Sequence, residues 1–191
     1  MTATPTPRSQ AKADRRDALL DAAASLFAER GFTRVSLEDL GAAAGISGPA
    51  VYRHFDGKQA VLAAMLVDAS ADLCTGAQTV IESAPSAQAA LESLIKFHVE
   101  FALKNANVIR VQDRDLDSLT DDDRHTVRAL QRSYVELWVA TLARRHPDAA
   151  TSELRTRAHA TFGLINSTPH SGRAGATRAV LERMALAALN A

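Results

Sequence analysis

The chain has 191 residues, and its 22 Lys and Arg residues balance its 22 Asp and Glu residues. This length is typical of one domain or of one domain with a small extension, and the zero net charge excludes a polybasic or polyacidic protein. Alanine accounts for 38 residues and aromatic side chains for nine. Because sheets are enriched in branched and aromatic residues, whereas alanine favours helices, we expect an all-α protein.

The cysteine content and the hydropathy pattern indicate where such a protein works. The one cysteine, Cys74, excludes an intramolecular disulfide framework and fits a reducing compartment. No uninterrupted apolar run approaches the roughly 20 residues that span a bilayer, and residues 1–10 lack the apolar core of a signal peptide. We therefore expect a cytoplasmic protein with no membrane partner.

The predicted elements begin after a short basic arm. Residues 1–13 carry no large apolar side chain after Met1, and we expect them to be disordered. A first helix is predicted from Asp14 to just before Gly31, with apolar residues at three- and four-residue spacing. The basic residues of the arm and of the start of this helix either contact DNA or form a solvated tail; they are Arg8, Lys12, Arg15 and Arg16.

Two short helices are predicted next, and together they have the form of a helix-turn-helix. Ser36 and Asp39 resemble a capping box that opens a helix over Leu37–Ala44. The tight turn at Gly45–Ser47 leads into a second helix over Gly48–Phe55. In a helix-turn-helix the second helix enters the DNA major groove, so this segment predicts DNA binding.

The rest of the chain is predicted to form six longer helices. Each begins at a capping residue or after a break, and the breaks include Pro85 and Pro147. The predicted ranges are Lys58–Ser83, Ser86–Asn105, Asn107–Leu116, Thr120–His146, Thr151–Asn166 and Ala174–Leu189.

The segment Ser47-Gly48-Pro49-Ala50-Val51-Tyr52-Arg53-His54-Phe55-Asp56-Gly57-Lys58 resembles the signature of the TetR family of bacterial transcriptional regulators. Its core is the pattern Tyr-x-His-Phe-x-x-Lys, and the resemblance covers about residues 14–62. It implies a two-domain fold of nine to ten helices. The implied organisation is a basic arm at 1–13, a helix-turn-helix DNA-binding domain at 14–58, and an effector-binding and dimerisation domain at 59–191.

The resemblance also implies which residues contact DNA. Glu38 and Gly48 depart from the better-known members of the family, because one is acidic and the other lacks a polar side chain. The operator sequences of those members therefore do not predict the operator of this chain. Phosphate contacts are implied for Ser36, Tyr52, His54 and Lys58, and base contacts for Pro49, Ala50 and Arg53. Ser47 and Gly48 also lie on or near the outer face, where small residues at the start of the helix let its backbone approach the bases.

An effector cavity is predicted between helices of the second domain, although core packing also explains each of its residues. Most of the candidate lining residues are aromatic or aliphatic, and an arginine is among them. This composition favours a largely apolar effector that bears a carboxylate or phosphate, such as a fatty-acyl or acyl-CoA-like molecule. The segment 162–170 is either a plain helix end and turn or part of this site, and it loosely resembles a segment of actinobacterial regulators of acyl-CoA and lipid metabolism. The predicted lining is Leu66, Phe97, His98, Phe101, Arg110, Tyr134, Trp138 and Asn166, with Gln112 and Arg114 as further polar candidates.

The last two helices are rich enough in Ala and Leu to pair with their symmetry mates in a homodimer. A two-fold dimer presents two recognition helices, so the operator should be a palindrome or near-palindrome. Effector binding would then rotate Lys58–Ser83 and change the spacing of the two recognition helices. The predicted interface residues are Leu154, Ala158, Phe162, Ile165, Val180, Leu181 and Met184.

These features predict a homodimeric repressor that a small effector releases from a palindromic operator. No nucleophile elbow, dinucleotide fingerprint or P-loop is present, and the six histidines lack a close metal-ligand spacing. We therefore expect no enzyme activity, no cofactor and no metal. The alternative is a helical small-molecule-binding protein or an enzyme that retains the helix-turn-helix.

Overall fold

The computed structural model describes residues 6–167 and 174–190. Within those ranges the chain forms nine α-helices and no strand, so the predicted all-α fold is confirmed. Single 3-10 turns lie at Phe32–Arg34 and Leu116–Ser118. The helices are α1 (Pro7–Arg30), α2 (Leu37–Ala43), α3 (Gly48–Val51), α4 (Lys58–Glu82), α5 (Ala87–Lys104), α6 (Ala106–Asp115), α7 (Asp121–Arg145), α8 (Thr151–Asn166) and α9 (Ala174–Asn190).

Helix α1 begins well before the predicted start at Asp14. The Thr6 side chain caps it by accepting a hydrogen bond from the backbone N–H of Ser9 at 3.2 Å. Pro7 occupies the first helical position, where its missing N–H costs nothing. The expectation that residues 7–13 are disordered is therefore wrong. Residues 1–5 and the side chain of Arg8 lie outside the described part of the chain.

The helices pack around two apolar cores that share α4. The N-terminal core joins the inward faces of α1, α2 and α3 to the first half of α4, with Val111 of α6 and Val127 of α7 added to it. The C-terminal core joins the second half of α4 to α5, α7, α8 and α9. Because Val61 and Leu66 belong to the N-terminal core, that core extends past the predicted domain boundary at residue 58.

Helix α4 is also long and apolar enough, by length and composition alone, to cross a membrane. It lies in the middle of the fold, however, with α1, α5, α6 and α7 packed against it. A helix surrounded by other helices is apolar on several faces for that reason, so its composition follows from its place in the two cores.

The predicted dimer interface is largely wrong, because its residues face inward. Leu154, Ala158, Ile165 and Leu181 are buried within the C-terminal core of a single chain. The apolar stripe at three- and four-residue spacing on α8 and α9 packs against α5 and α7, and the two helices pack on each other. Phe162 is half-buried. The two predicted residues that remain exposed are Val180 and Met184, at 42% and 50% exposure.

Candidate functional site

The two helices of the helix-turn-helix are held by a cap and by two glycines. Ser36 Oγ accepts a hydrogen bond from the backbone N–H of Asp39 at 3.1 Å, and the Asp39 carboxylate accepts one from the backbone N–H of Ser36 at 2.8 Å. The predicted capping box is therefore confirmed. Gly45 has a φ of +69°, which favours glycine, and a Cβ on Gly41 would lie 3.0 Å from the carbonyl oxygen of Ile46. These two positions bring α2 close to the turn.

The recognition helix α3 is shorter than predicted. It ends at Val51 instead of Phe55, and the chain from Tyr52 to His54 forms a turn. Ser47 is the N-cap residue by position, although its side chain makes no capping hydrogen bond. Val51 and Phe55 are buried in the N-terminal core and fix this segment to the domain.

The outer side of α3 and of the turn after it is exposed. Tyr52 is 56% exposed, which is unusual for a large apolar side chain, and Arg53 beside it is exposed as well. Pro49 is exposed, while Gly48 and Ala50 are half-buried. The side chains predicted to contact bases thus form the surface of a short helix with little steric bulk at its start, which suits close approach to base edges.

Basic residues of α1 lie beside this surface. The pKa of His54 lies below its usual value, first because of partial burial and then because of the positive charges of Lys12, Arg15 and the two nearby arginines, Arg53 and Arg16. Lys12 and Arg15 are exposed. The helical part of the predicted arm therefore adds positive charge next to the recognition helix, as a phosphate-binding surface requires.

Arg16 is tied into the protein. Its guanidinium donates a hydrogen bond to the carboxylate of Asp68 on α4 at 2.7 Å and lies 5.7 Å from the centre of the Phe55 ring. Arg16 therefore joins α1 to α4 and to the end of the recognition segment.

Lys58, at the start of α4, also has a structural role. Its ammonium donates hydrogen bonds to the carbonyl oxygens of Phe32, at 2.8 Å, and Thr33, at 3.3 Å, and lies 4.5 Å from the centre of the Phe32 ring. These contacts fasten α4 to the link between α1 and α2. Because an ammonium group has three donors, one remains for the phosphate contact that the family signature implies.

A cavity of about 210 Å³ lies in the second part of the molecule, between α4, α5, α6, α7 and α8. Seven of its ten lining residues carry a polar group, although apolar atoms form the larger part of its surface, and the lining contains no Lys, Arg, Asp or Glu among the residues that the structure describes. His98, Tyr134 and Asn166 were predicted as lining residues, and Gln112 was a further candidate; all four line the cavity. The full lining is Ser70, Leu73, His98, Gln112, Gln131, Tyr134, Val135, His159, Phe162 and Asn166.

Hydrogen bonds connect the predicted polar residues of the cavity. His98 Nδ1 lies 2.9 Å from the Tyr134 hydroxyl, and His98 Nε2 lies 3.2 Å from the Asn166 side-chain oxygen. Burial lowers the pKa of His98 to about 4, so the ring is neutral at physiological pH. A neutral imidazole has one donor and one acceptor, so Tyr134 donates to His98 and His98 donates to Asn166. The neutral state of His98 therefore fixes which of these three side chains donates each hydrogen bond.

The other five predicted lining residues lie elsewhere. Leu66 is fully buried in the N-terminal core, and Trp138 is fully buried behind His98, whose ring it meets edge-on. The Phe97 ring packs against Gly76 of α4. Phe101 and Arg110 are half-buried and are not part of the cavity lining. Residues 168–170 of the predicted segment 162–170 lie outside the described part of the chain.

Helix α6 contacts both the cavity and the N-terminal core. Gln112 lines the cavity, whereas Arg114, two residues later, donates hydrogen bonds to the carbonyl oxygens of Phe27 and Ala28 at the end of α1. The Arg114 guanidinium also forms an ion pair with Asp115 at 2.8 Å. Arg114 therefore does not orient a ligand but caps the last turn of α1, where a cation is favoured.

The sequence pattern missed half of the cavity lining. The missed residues belong to no motif and are spread over the three helices α4, α7 and α8. They are Ser70, Leu73, Gln131, Val135 and His159. Their helical spacing is compatible with a core position or a surface position, so periodicity alone does not identify them.

Family models match most of the chain. The model described as bacterial regulatory proteins of the tetR family matches residues 19–65, and the model of the tetracyclin repressor-like C-terminal domain matches residues 84–170. The HTH-type transcriptional repressor KstR2 of Rhodococcus jostii is 31% identical over 143 residues, which cover 74% of this chain and 70% of that protein. The chain belongs to the TetR family.

Solved structures agree with this assignment. A TetR-family transcriptional regulator from Bordetella parapertussis is 26% identical with a TM-score of 0.82, covering 91% of this chain and 93% of that one. FadR from Bacillus subtilis, solved in complex with stearoyl-CoA, has a TM-score of 0.71 over 90% of this chain and 98% of its own. It is 14% identical and shows the fold alone. The predicted family is therefore confirmed, and the chain is a DNA-binding transcriptional regulator.

Proposed function

We propose that this regulator is a cytoplasmic bacterial repressor that binds a palindromic operator as a homodimer and leaves it when a small effector fills the cavity. The observation that carries this proposal is that two helices contact both the cavity and the DNA-binding domain. Helix α4 contributes Ser70 and Leu73 to the cavity and begins at Lys58, beside the recognition segment. Helix α6 contributes Gln112 and, through Arg114, holds the end of α1.

A ligand in the cavity would act on these two helices by binding one arrangement of them more tightly than the other. Such differential affinity is what allosteric release requires. The Arg16–Asp68 ion pair joins α4 to α1, and the Lys58 contacts join α4 to the link between α1 and α2. A shift of α4 would therefore move the recognition segment with it.

Exposed apolar side chains support the homodimer. Among the described residues the large hydrophobic side chains that remain exposed are Tyr52, Val180 and Met184. Val180 and Met184 are one helical turn apart on α9, so they form one apolar strip on the outer side of the domain. We propose that this outer side of α9, rather than the buried inner side, forms the dimer contact.

The effector in this proposal is acyl-CoA-like. FadR, which has the same fold, binds stearoyl-CoA in its solved structure. The aromatic rings of Tyr134 and Phe162 and the side chain of Leu73 supply apolar surface in the cavity, and the neutral polar groups between them suit a carbonyl or hydroxyl.

DNA binding is tested by fluorescence anisotropy with the duplex upstream of the chain's own gene. We expect tight, salt-dependent binding, and we expect Tyr52→Ala to weaken binding to this duplex and to an unrelated duplex alike, because a phosphate contact carries no sequence information. Tyr52→Phe, which keeps the ring, separates loss of the hydroxyl from loss of packing. Wild-type affinity equal for the two duplexes would contradict the repressor proposal.

The dimer is tested by light scattering on a variant at an exposed position. Met184→Glu should yield monomers with poor operator affinity, because it places a charge in the proposed contact. Ala143→Glu, at an exposed position of α7, is the matched control and should remain a dimer. A wild-type monomer at micromolar concentration would contradict the proposed contact.

A further inference from the structure

An open groove lies next to the cavity and shares three lining residues with it. The groove runs between α7 and α8 and has a volume of about 600 Å³. Gln131, Val135 and His159 line both the groove and the cavity. The same three side chains therefore border both spaces, and a ligand that passes them would occupy both. The other four side chains of the groove are Arg128, Arg132, Glu136 and Arg155.

The groove is basic, whereas the cavity is neutral. Arg155 donates hydrogen bonds to the Glu136 carboxylate from Nε, at 3.3 Å, and from its terminal nitrogen, at 2.6 Å, so these two charges compensate each other. Arg128 and Arg132 are exposed and take part in no ion pair within residues 6–167 and 174–190. They are also one turn apart on α7, where like charges destabilise a helix unless an anion lies between them.

We propose that Arg128 and Arg132, in this groove beside the Arg155–Glu136 pair, bind the phosphate groups of an effector whose uncharged end enters the cavity. Arginine forks match phosphate geometry with two parallel hydrogen bonds, so unpaired arginines at the mouth of a neutral cavity favour a phosphorylated ligand. The ligand class is a coenzyme A thioester. This inference rests on the proposed function, in which the same cavity holds the effector.

We expect the cavity to limit the acyl group to a compact one. Its volume of about 210 Å³ lies below the range of about 300–1,000 Å³ that is usual for ligand pockets. A short acyl group therefore suits it better than a long fatty-acyl chain. The Gln112 and Gln131 side chains supply donors and acceptors at the wall, and the Ser70 hydroxyl, which donates to the Leu66 carbonyl oxygen, supplies an acceptor. An oxygenated acyl group is therefore bound better than a plain alkyl chain, because a buried polar group without a partner is costly.

The test measures how much thioester releases half of the bound operator. We use butyryl-CoA, 3-hydroxybutyryl-CoA and stearoyl-CoA, with butyrate and free coenzyme A as partial ligands. We expect the two short thioesters to release DNA, 3-hydroxybutyryl-CoA at the lower concentration, and stearoyl-CoA and butyrate to be at least about tenfold weaker. Release by stearoyl-CoA at the same concentration as butyryl-CoA would overturn the size limit.

The groove is tested with Arg128→Gln/Arg132→Gln and with the matched control Arg144→Gln/Arg145→Gln near the end of α7. The first pair should raise the half-release concentration of butyryl-CoA about tenfold or more, because charge-assisted hydrogen bonds to phosphate are lost. Operator affinity without thioester should not change. The control pair should respond as the wild type does.

Three results separate this inference from the proposed function. If operator binds but no thioester binds in calorimetry, the groove assignment is overturned and the repressor stands. If the groove variant responds as the wild type does, or if it loses operator affinity or the dimer without any thioester, the arginines serve another purpose and the inference is also overturned. If no operator binds but calorimetry detects a thioester that the groove variant loses, the proposed function fails and the groove stands.

Discussion

The DNA-binding surface and the effector cavity are built from side chains in opposite environments. Tyr52 and Arg53 come from one short segment and face water. His98, Tyr134 and Asn166 come from three helices and face each other in the interior. A surface group exchanges water for phosphate when it binds, whereas a buried polar group must find its partner within the protein. The first region is therefore recognisable from a short stretch of sequence, and the second is not.

The two regions also differ in charge. Around the recognition segment, positive charges are close enough to lower the pKa of His54 further than its partial burial alone does. In the cavity, burial alone keeps His98 neutral. Changes of pH should therefore act on the two regions by different mechanisms, on stability in the cavity and on DNA affinity at the surface.

The largest effect is expected from the titration of His98 at low pH. The pKa of His98 is about 4 in the folded chain, against 6.5 for an ordinary histidine. Between these two values the unfolded chain binds a proton that the folded chain does not, so stability falls as the pH falls. Across that window His98 should lower the free energy of unfolding by about 3 kcal/mol.

The measurement is urea unfolding across this pH window for the wild type and for His98→Gln, which keeps polar groups but does not titrate. Carboxylates titrate in both proteins, so the difference between the two curves isolates His98. Parallel curves would show that His98 is not buried as described.

The next largest effect is expected at the recognition segment. Arg53→Ala should cost about 1–3 kcal/mol of operator binding and relax the preference at one base pair in each half-site. The measurement is anisotropy across a panel of single-base operator variants, with Arg144→Ala as the control for loss of charge. Uniform weakening over the whole panel would show that Arg53 contacts phosphate only.

A smaller effect is expected at the start of α2, where Ser36 has two roles to separate. Ser36→Ala removes half of the capping box and should lower the free energy of unfolding by about 1 kcal/mol. Ser36→Asp keeps an N-cap acceptor and should restore much of that stability, but its charge would repel a phosphate. Thermal unfolding and operator affinity are measured on both variants. Equal operator affinity for the wild type and Ser36→Asp would exclude the predicted phosphate contact.

The smallest effect is expected from His54. Its pKa is lowered in the free protein, and a nearby DNA phosphate would favour the protonated ring. DNA binding should therefore take up a proton, and operator affinity should rise as the pH falls toward the lowered pKa of His54. His54→Gln should lack this part of the pH dependence. Identical pH profiles for the wild type and His54→Gln would place His54 away from the DNA backbone.

The sequence was sufficient for features that depend on neighbours along the chain. The capping box of Ser36 and Asp39 forms as predicted, since a cap is completed within three residues. The signature from Ser47 to Lys58 identified the family that the comparisons confirm. The ends of helices were predicted less well. Thr6 and Pro7 begin α1 seven residues early, and α3 stops at Val51 because the next residues turn toward α4.

Only the tertiary structure decided what each face of a helix packs against. The apolar spacing of α8 and α9 indicates an inward face but not what covers it, so Ile165 and Leu181 were predicted at a dimer interface although they lie in the chain's own core. Likewise, three arginines have different surroundings in the folded chain. Arg114 caps α1, Arg155 pairs with Glu136, and Arg132 lines a groove beside the cavity without an ion pair among the described residues. The physical reason is the range of the interactions. Helix caps and turns close within one turn of the chain, whereas burial and ion pairing depend on side chains brought together from distant helices.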